Sequence, residues 1–392
     1  MTRRQSYAIL CAVGVCCFIS YNLVRMPVLS LFAQSLGASP EEIGLIVSVS
    51  TLTGVLLKLP GGALSDIYGR RLLLRIGVLA FGLPPFVYPF ITETGTLTGL
   101  RFVHGLATAL FAPAALATVA ELFQERRGAA LGGYTASTQA GALLGPVLGG
   151  WLVYAAGFPT TFVTAGLFGG LGLICFLALR LNPAPPLGEK SLGRVAQDMW
   201  QGFRIVANNR AVLVTSVTDG AKMIANGALM AFLPIYGTSV GLNPGQVGIL
   251  FGVQGVTSFL SKPIMGRASD RIGRRPLILI GLLLCAVSFV LIPQVAAFPT
   301  LILLAALFGY GEAVVSSSTS ALVADVSDIK RLGAGMGMQG TIMDIGHASG
   351  PLLAGFLITF FGYPATFAVI AALQLVAAGV FWMTVRPAPA AS

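Results

Sequence analysis

Eight ionisable side chains lie inside long apolar stretches of this sequence of 392 residues. They are Arg25, Arg101, His104, Asp219, Lys222, Glu312, Asp344 and His347. Acids and bases in apolar surroundings can bind and release protons, pair with one another or bind a charged ligand. Helical spacing places Asp219, Lys222 and Asn226 on one helix face, and Asn22 and Arg25 on a face of another helix.

The acid at position 312 has no other acid or base within four residues along the chain. Burial in an apolar helix disfavours the charged form of a lone carboxyl, which suits a group that loads and releases a proton. We therefore expect Glu312 or Asp344 to carry a proton. Asp219 is a further candidate, and a merely local ion pair between Asp219 and Lys222 is the alternative.

The helices that must position these groups are long and apolar. Hydrophobic residues make up 55% of the chain and charged residues only 10%, whereas soluble proteins average about 25% charged residues. A bilayer-spanning helix needs roughly 20 mainly apolar residues, and the sequence contains about twelve such segments. The composition predicts an all-α membrane protein with twelve transmembrane helices.

The positive charge of the chain is confined to one side of these spans. Five of the 24 Lys and Arg residues lie inside spans, and the others fall in alternate connections. Because cytoplasmic loops are enriched in Lys and Arg, this asymmetry predicts a multi-pass protein of the bacterial inner membrane with both termini in the cytoplasm. The net charge of +10 then needs no nucleic-acid partner.

Enzymatic motifs and metal-ligand spacings are not found in the sequence. It contains no Walker loop, nucleophile elbow or metal-spaced His cluster, so we expect no catalytic residue, no metal and no cofactor. The five cysteines all lie in apolar spans without the spacing of a disulfide framework. The expected partners are the lipid bilayer and a small-molecule substrate, and we expect a monomer.

The second half of the sequence repeats the first at an offset of about 204 residues. SLGASPEEIGLI at 35–46 matches SVGLNPGQVGIL at 239–250, and GFPTTF at 157–162 matches GYPATF at 362–367. Because each half has an even number of spans, the two halves have the same orientation. The sequence therefore predicts two pseudo-symmetric six-helix bundles. They comprise residues 1–181 and 210–392, joined by a cytoplasmic linker at 182–209 that contains an amphipathic helix.

A ten-residue motif follows the second span and recurs after the eighth. It reads GALSDIYGRR from Gly62 and GRASDRIGRR from Gly266. This motif resembles the signature loop of the major facilitator superfamily, and with its second copy the resemblance extends over nearly the whole chain. A tight turn in each copy requires a glycine, since glycine alone adopts positive φ without strain.

The resemblance implies a conformational latch at these loops. It implies that Arg70 pairs with Glu121, and repeat symmetry extends the pairing to Arg274 and Asp325. An acid of each loop, Asp66 or Asp270, can lie at the N-terminal end of a neighbouring helix. We expect such pairs to hold one conformational state and to break in the other. The alternative is that the positive charges only set topology.

Two further segments resemble motifs of the same family. The segment GALLGPVLGG in the fifth span resembles its antiporter motif, in which small residues allow close helix packing and a proline bends the helix. These positions are Gly141, Gly145, Pro146, Gly149 and Gly150. Arg101 and His104 in the fourth span resemble the proton-coupling motif, although His104 stands where the pattern often has Gln.

On the family pattern the first, fourth, seventh and tenth spans line a substrate cavity. The cavity residues expected from this pattern are Asn22, Arg25, Arg101, His104, Lys222, Asn226 and Glu312. Proton coupling is expected at Glu312, Asp344, Arg101 and Asp219. The resemblance is to drug:proton antiporters of twelve spans, and it implies a proton-driven exporter of amphipathic small molecules. An organic-anion carrier, a lipid or siderophore carrier, and a receptor with this fold are the alternatives.

Overall fold

The chain is almost entirely helical in a computed structural model that describes most of its residues. The described residues are 2–179, 204, 208–327 and 332–385, and of residues 58–63, 66 and 67 only the backbone is described. The predicted linker helix therefore lies outside the described residues, as does the side chain of Asp66.

Twelve α-helices follow one another along the described chain, with short 3₁₀ segments at Tyr88–Phe90 and Ile292–Gln294. They are α1 (Arg3–Arg25), α2 (Val28–Ser35), α3 (Pro40–Tyr68), α4 (Arg70–Gly82), α5 (Pro84–Val87), α6 (Thr94–Leu122), α7 (Arg127–Ala178), α8 (Arg210–Ser239), α9 (Pro244–Ile272), α10 (Arg274–Leu291), α11 (Phe298–Val326) and α12 (Leu332–Thr384).

These helices account for the twelve predicted spans, although helices and spans do not correspond one to one. Within the described ranges, nine helical stretches are long and apolar enough to cross a membrane. Two of these, α7 and α12, each contain two spans that meet at a glycine with positive φ, Gly157 (77°) and Gly362 (72°). The seventh span is α8, which has 30 residues and carries the buried polar residues described below. The first span is divided between α1 and α2.

The two halves begin and turn in the same way at equivalent positions. Ser39 and Glu42 form a reciprocal cap at the start of α3, and Asn243 and Gln246 exchange two hydrogen bonds of 2.9 Å at the start of α9. Such caps satisfy amide groups that the first helical turn leaves unpaired. The predicted turns at Gly69 and Gly273 are confirmed, with φ of 85° and 100°.

One compact unit contains α1 to α7 together with Leu242–Ile249 at the start of α9. In this unit α1 packs along α7, and α6 packs against both α3 and α4. The core is apolar, with Leu74, Phe81 and Phe111 fully buried. This packing fixes Arg101 of α6 against α3, because Gly105 one turn later lies so close to Ser50 that a side chain there would clash.

The second compact unit contains α8, the remainder of α9, and α10 to α12. Its contacts repeat those of the first unit: α8 packs along α12 and α11 packs against α10, while α11 also meets α9, where Gly309 lies against the Gln254 carbonyl oxygen and Ser317 Oγ donates to the Lys262 carbonyl oxygen. Ile278, Val315 and Phe381 are buried in its core. The predicted internal repeat is thus present in the packing of each unit, and α8, α11 and α12 meet around the polar residues of this half.

Many large apolar side chains cover the outer surface of the helices. Phe90 is 82% exposed, Leu303 is 70% exposed and Met383 is 78% exposed. A soluble monomer rarely exposes so much continuous apolar surface, whereas lipid solvates it without cost. The fold is that of a multi-pass helical membrane protein, as predicted.

Candidate functional site

The first polar cluster surrounds Arg101, whose side chain is completely buried in α6. Its Nη2 atom donates to Ser50 Oγ of α3. Its Nη1 atom lies 3.4 Å from Tyr88 Oη and 3.3 Å from His104 Nδ1. We call Arg101, Ser50, Tyr88, His104 and the adjacent Tyr21 the Arg101 cluster.

The imidazole in this cluster has a defined hydrogen-bonding role. His104 Nδ1 lies 3.0 Å from Tyr88 Oη as well as near Arg101. Because a guanidinium can only donate, Nδ1 must act as the acceptor, which fits a neutral imidazole with its proton on Nε2. His104 therefore supports the positive charge of Arg101 and does not add a second one.

Tyr21 places an aromatic ring between two guanidinium groups. The ring centroid lies 5.7 Å from the Cζ atom of Arg101 and 5.7 Å from that of Arg25. The Tyr21 hydroxyl also donates to Ser50 Oγ over 3.3 Å. Aromatic faces attract cations, so Tyr21 offsets part of the cost of burying Arg101.

Dipoles and aromatic faces surround the charge of Arg101. Among the described residues, its partners are hydroxyls, an imidazole and the Tyr21 ring, and no carboxylate lies within ion-pair distance. Burying a cation without a counter-ion is costly. The first half thus holds a permanently charged group in its interior.

The second polar cluster surrounds a buried ion pair on α8. Asp219 Oδ1 lies 2.7 Å from Lys222 Nζ, and both side chains are fully buried. Asp219 Oδ2 accepts hydrogen bonds of 2.9 Å from Thr319 Oγ1 of α11 and Gln339 Nε2 of α12. We call Asp219, Lys222, Thr319 and Gln339, with Ser316, the Asp219 cluster.

The acid at position 312 is alone in sequence but not in the structure. Lys222 Nζ donates to Ser316 Oγ over 2.5 Å, and Glu312 lies one turn before Ser316 on α11. Glu312 is half-buried and close enough to Lys222 for their charges to interact. Lys222 therefore interacts with two acids, by an ion pair with Asp219 and by charge at longer range with Glu312.

The loop arginines pair with acids of their own half. Arg70 Nη2 lies 2.6 Å from Glu121 Oε1, and Arg274 Nε lies 3.1 Å from Asp325 Oδ2. Arg274 also forms an ion pair with Asp270. Each pair joins helices within one compact unit.

The glycines of the antiporter-like motif bring α7 into contact with α1. A Cβ atom at Gly141 would lie 2.6 Å from the Val15 carbonyl oxygen, and one at Gly145 would lie 2.6 Å from Asn22 Cβ. Gly149 faces the Leu23 carbonyl in the same way. The helix runs on through Pro146, and Gly150 approaches the backbone at the start of α9. This motif is a packing surface.

The remaining predicted residues lie on the same helices but outside the two clusters. Asn22 is 5% exposed, and its Nδ2 atom donates to the Phe18 carbonyl oxygen of α1 over 2.9 Å. Asn226 is half-buried on α8 and Asp344 is half-buried on α12. The substrate and proton roles of these residues stay predictions.

Sequence reasoning missed the neutral members of both clusters. They are Tyr21, Ser50, Tyr88, Ser316, Thr319 and Gln339. Except for the contact of Tyr21 with Arg25, each of these residues lies in a different span from the charged side chain that it contacts. Helical spacing within one span therefore cannot identify such a partner. The available signal is indirect: a buried charge must have polar partners, and polar side chains are scarce in apolar spans.

The fold and the two polar clusters define a multi-pass helical membrane transporter. A sequence profile of the Major Facilitator Superfamily matches residues 10–220 and again residues 215–392. The chain belongs to the Major Facilitator Superfamily. Its relatives and its fold are those of transporters and not of enzymes.

Similar proteins include named transporters. The multidrug resistance protein MdtG of Salmonella paratyphi B is 27% identical over 94% of this chain and 93% of its own length. An uncharacterized MFS-type transporter of Methanocaldococcus jannaschii is 25% identical over 86% of this chain and 87% of its own length.

Solved structures share the fold at low sequence identity. The nucleoside transporter NupG superposes with a TM-score of 0.79 at 13% identity, covering 97% of this chain and 98% of NupG. A bacterial homolog of the human lysosomal transporter Spinster gives 0.79 at 14% identity, with 97% and 96% covered.

Proposed function

We propose that this protein is a proton-coupled secondary active transporter that exports amphipathic small molecules by alternating access. The relatives named multidrug resistance proteins cover almost the whole chain, which favours export of drug-like compounds. The antiporter-like motif of α7 supports the same direction. The energy source is the proton gradient, and the proposed transporter needs no bound cofactor.

The observation that carries the proposal is the position of Glu312 near a buried ion pair. Asp219 is already bound by three partners, Lys222, Thr319 and Gln339. Its role is to keep Lys222 charged and in place. Glu312 is the second acid whose charge reaches this cation, and among the described residues no side-chain donor is hydrogen-bonded to it, so we assign the transported proton to Glu312.

Proton binding at Glu312 changes the charge around Lys222. With Glu312 ionised, the group of Asp219, Lys222 and Glu312 carries one net negative charge, and with Glu312 protonated it is neutral. A substrate that binds better when Glu312 is ionised competes with the proton. A substrate that binds better when Glu312 is protonated favours proton uptake. Such coupling is what exchange of a substrate for a proton requires.

The proposed setting is the bacterial inner membrane with both termini in the cytoplasm. The Arg-rich loops between α3 and α4 and between α9 and α10 lie on the predicted cytoplasmic side. Cysteines placed near Glu93 and near Glu189 should label from opposite sides of the membrane. Labelling of both from one side would overturn this topology. We propose a monomer as the transporting unit.

Dissipation of a pH gradient in proteoliposomes tests the proposed function. Cationic, neutral and anionic amphipathic compounds are added in turn to vesicles that hold a preset gradient, and internal pH is followed by a trapped dye. We expect compounds that are substrates to collapse the gradient only in vesicles that contain the protein. No protein-dependent proton movement with any compound would contradict proton coupling.

An organic-anion carrier is the second candidate function. It is favoured by the first half, where buried Arg101 has no carboxylate partner among the described residues and Arg25 shares the Tyr21 ring. An anionic substrate group would supply the missing counter-charge. In the same vesicle assay, protein-dependent responses restricted to anionic compounds would favour this candidate.

A further inference from the structure

One face of α9 is apolar along most of its length and basic at its C-terminal end. Leu260 is 60% exposed and Ile264 is 58% exposed. Arg267 and Arg271 follow on the same face, because steps of three, four and seven residues return to one side of a helix. The face packed on α11 is a different one, where Gln254 is buried.

A shallow pocket lies at the basic end of this face. Its volume is about 500 Å³. The residues that line it are Ile264, Arg267, Ala268, Arg271 and Ile272. Arg267 and Arg271 form neither a hydrogen bond nor an ion pair within the part of the chain that the structure describes. Two guanidinium groups one turn apart thus share a pocket with three apolar side chains.

These two arginines do not recur in the first copy of the loop. At the equivalent positions of the first copy the sequence has Ala63 and Ile67. The two loop arginines that do recur already have partners: Arg274 pairs with Asp270 and Asp325, and Arg275 donates to the Trp382 carbonyl oxygen. The extra positive charge is specific to the second half, and the contacts of the fold do not account for it.

We propose that this end of α9 binds the headgroup of an anionic phospholipid. Guanidinium groups bind phosphate oxygens strongly, and Arg267 with Arg271 provides two of them at the predicted cytoplasmic boundary of the span. An acyl chain then follows the exposed row formed by Ile264, Leu260 and Val256. This row is about 12 Å long at 1.5 Å per residue, which is close to one leaflet of a hydrocarbon core of about 30 Å.

A free phosphate does not explain the apolar part of the surface. Val256 is 44% exposed and continues the row two turns from Ile264. An inorganic anion would use the arginines but leave Val256, Leu260 and Ile264 without a partner. The combination of an unpaired basic pair and an adjoining apolar row fits a ligand with both a phosphate and an acyl chain.

The test is native mass spectrometry of the full chain in a neutral detergent. Phosphatidylglycerol and phosphatidylcholine with matched acyl chains are titrated separately, and bound lipid is counted. We expect the unaltered chain to prefer phosphatidylglycerol. In R267Q/R271Q its affinity for phosphatidylglycerol should fall about 25-fold, at roughly fivefold per arginine, while phosphatidylcholine binding stays unchanged.

Two variants control for net charge and for folding. Arg126 and Arg127 are exposed arginines on the same predicted side of the membrane, so R126Q/R127Q removes equal charge and should keep the preference. R267K/R271K should retain most of the affinity, since it keeps both charges.

Four results would overturn the proposal. Three of them are an unchanged lipid preference in R267Q/R271Q, an equal loss of preference in R126Q/R127Q, and complete displacement of the lipid by inorganic phosphate alone. The last result would assign the pocket to a free anion. Because R267K/R271K keeps the charges, a loss of lipid binding in that variant as large as in R267Q/R271Q would also count against an electrostatic headgroup site.

Discussion

The first half buries a guanidinium among hydroxyls and aromatic rings, whereas the second half buries an ammonium against a carboxylate. Arg101 and Lys222 are both fully buried. Arg101 contacts Ser50, Tyr88 and His104, while Lys222 lies 2.7 Å from Asp219. The charge of the first cluster is fixed by its surroundings. The second cluster has a further acid nearby, Glu312, whose charge reaches Lys222 and which is the proposed proton carrier.

The duplicated sequence makes this difference informative. At an offset of about 204 residues, Arg101 corresponds to Ala305 and Lys222 corresponds to Phe18. The caps, the positive-φ glycines and the paired loop arginines recur in both halves, but the buried charges do not. The residues that recur therefore specify the shared fold of the two halves, whereas the buried charged residues differ between them.

The largest expected effect on stability is at Lys222. Lys222→Met leaves Asp219 as an unpaired buried charge, so we expect a loss of about 3–5 kcal/mol. Thermal unfolding in detergent measures the change. The double variant D219N/K222M removes both charges and should recover most of the loss, and a double variant as unstable as K222M alone would show that the ion pair is not the cause.

A smaller effect is expected at Arg101. Arg101→Met leaves no counter-ion behind, because the partners that it loses are hydroxyls and an imidazole. We expect a destabilisation of about 1–3 kcal/mol from polar groups left unsatisfied, with loss of transport. Should R101M be as unstable as K222M, the two halves would not differ in the way described.

The smallest effects on stability are expected at the loop arginines. The side chains of Glu121 and Asp325 are 51% and 55% exposed, so each pair contributes only about 0–1 kcal/mol. Thermal unfolding in detergent should show only this small change for Arg70→Ala and for Arg274→Ala.

Transport separates a conformational role of these loops from a topological one. If the Arg70–Glu121 pair favours one conformational state, Arg70→Ala should lower the transport rate while the amount of protein in the membrane stays the same. Unchanged transport would reduce the motif to a topology signal. Arg126→Ala removes an exposed arginine on the same predicted side and serves as the control.

The scaffold could be predicted from sequence because it depends on local rules that occur twice. The lengths of the apolar segments predicted the spans, and the repeated ten-residue loop motif predicted the turns at Gly69 and Gly273. The buried clusters could be predicted only in part. Asp219 and Lys222 are close in sequence, but Gln339 reaches Asp219 from 120 residues away. A neutral amide in an apolar helix carries no periodic signal that identifies its partner.

The surroundings of Glu312 also could not be predicted from sequence, because they depend on a contact between helices. Sequence shows an acid without charged neighbours, whereas the structure places Lys222 of another helix near it. The absence of charged residues near Glu312 in its own helix does not exclude a charged residue near it on a second helix. Glu312 therefore lies near the Asp219 cluster, and we propose that its proton is exchanged beside Lys222.

Coupling of substrate movement to the pH gradient tests most directly whether Glu312 carries the proton. Proteoliposomes containing E312Q are compared with those containing D344N, and with E125Q as a control at an exposed acid, in gradient-driven uptake and in substrate exchange without a gradient. We predict that E312Q loses uphill transport but keeps exchange, while D344N and E125Q keep both. Uphill transport by E312Q at the rate of the unaltered protein would contradict the assignment.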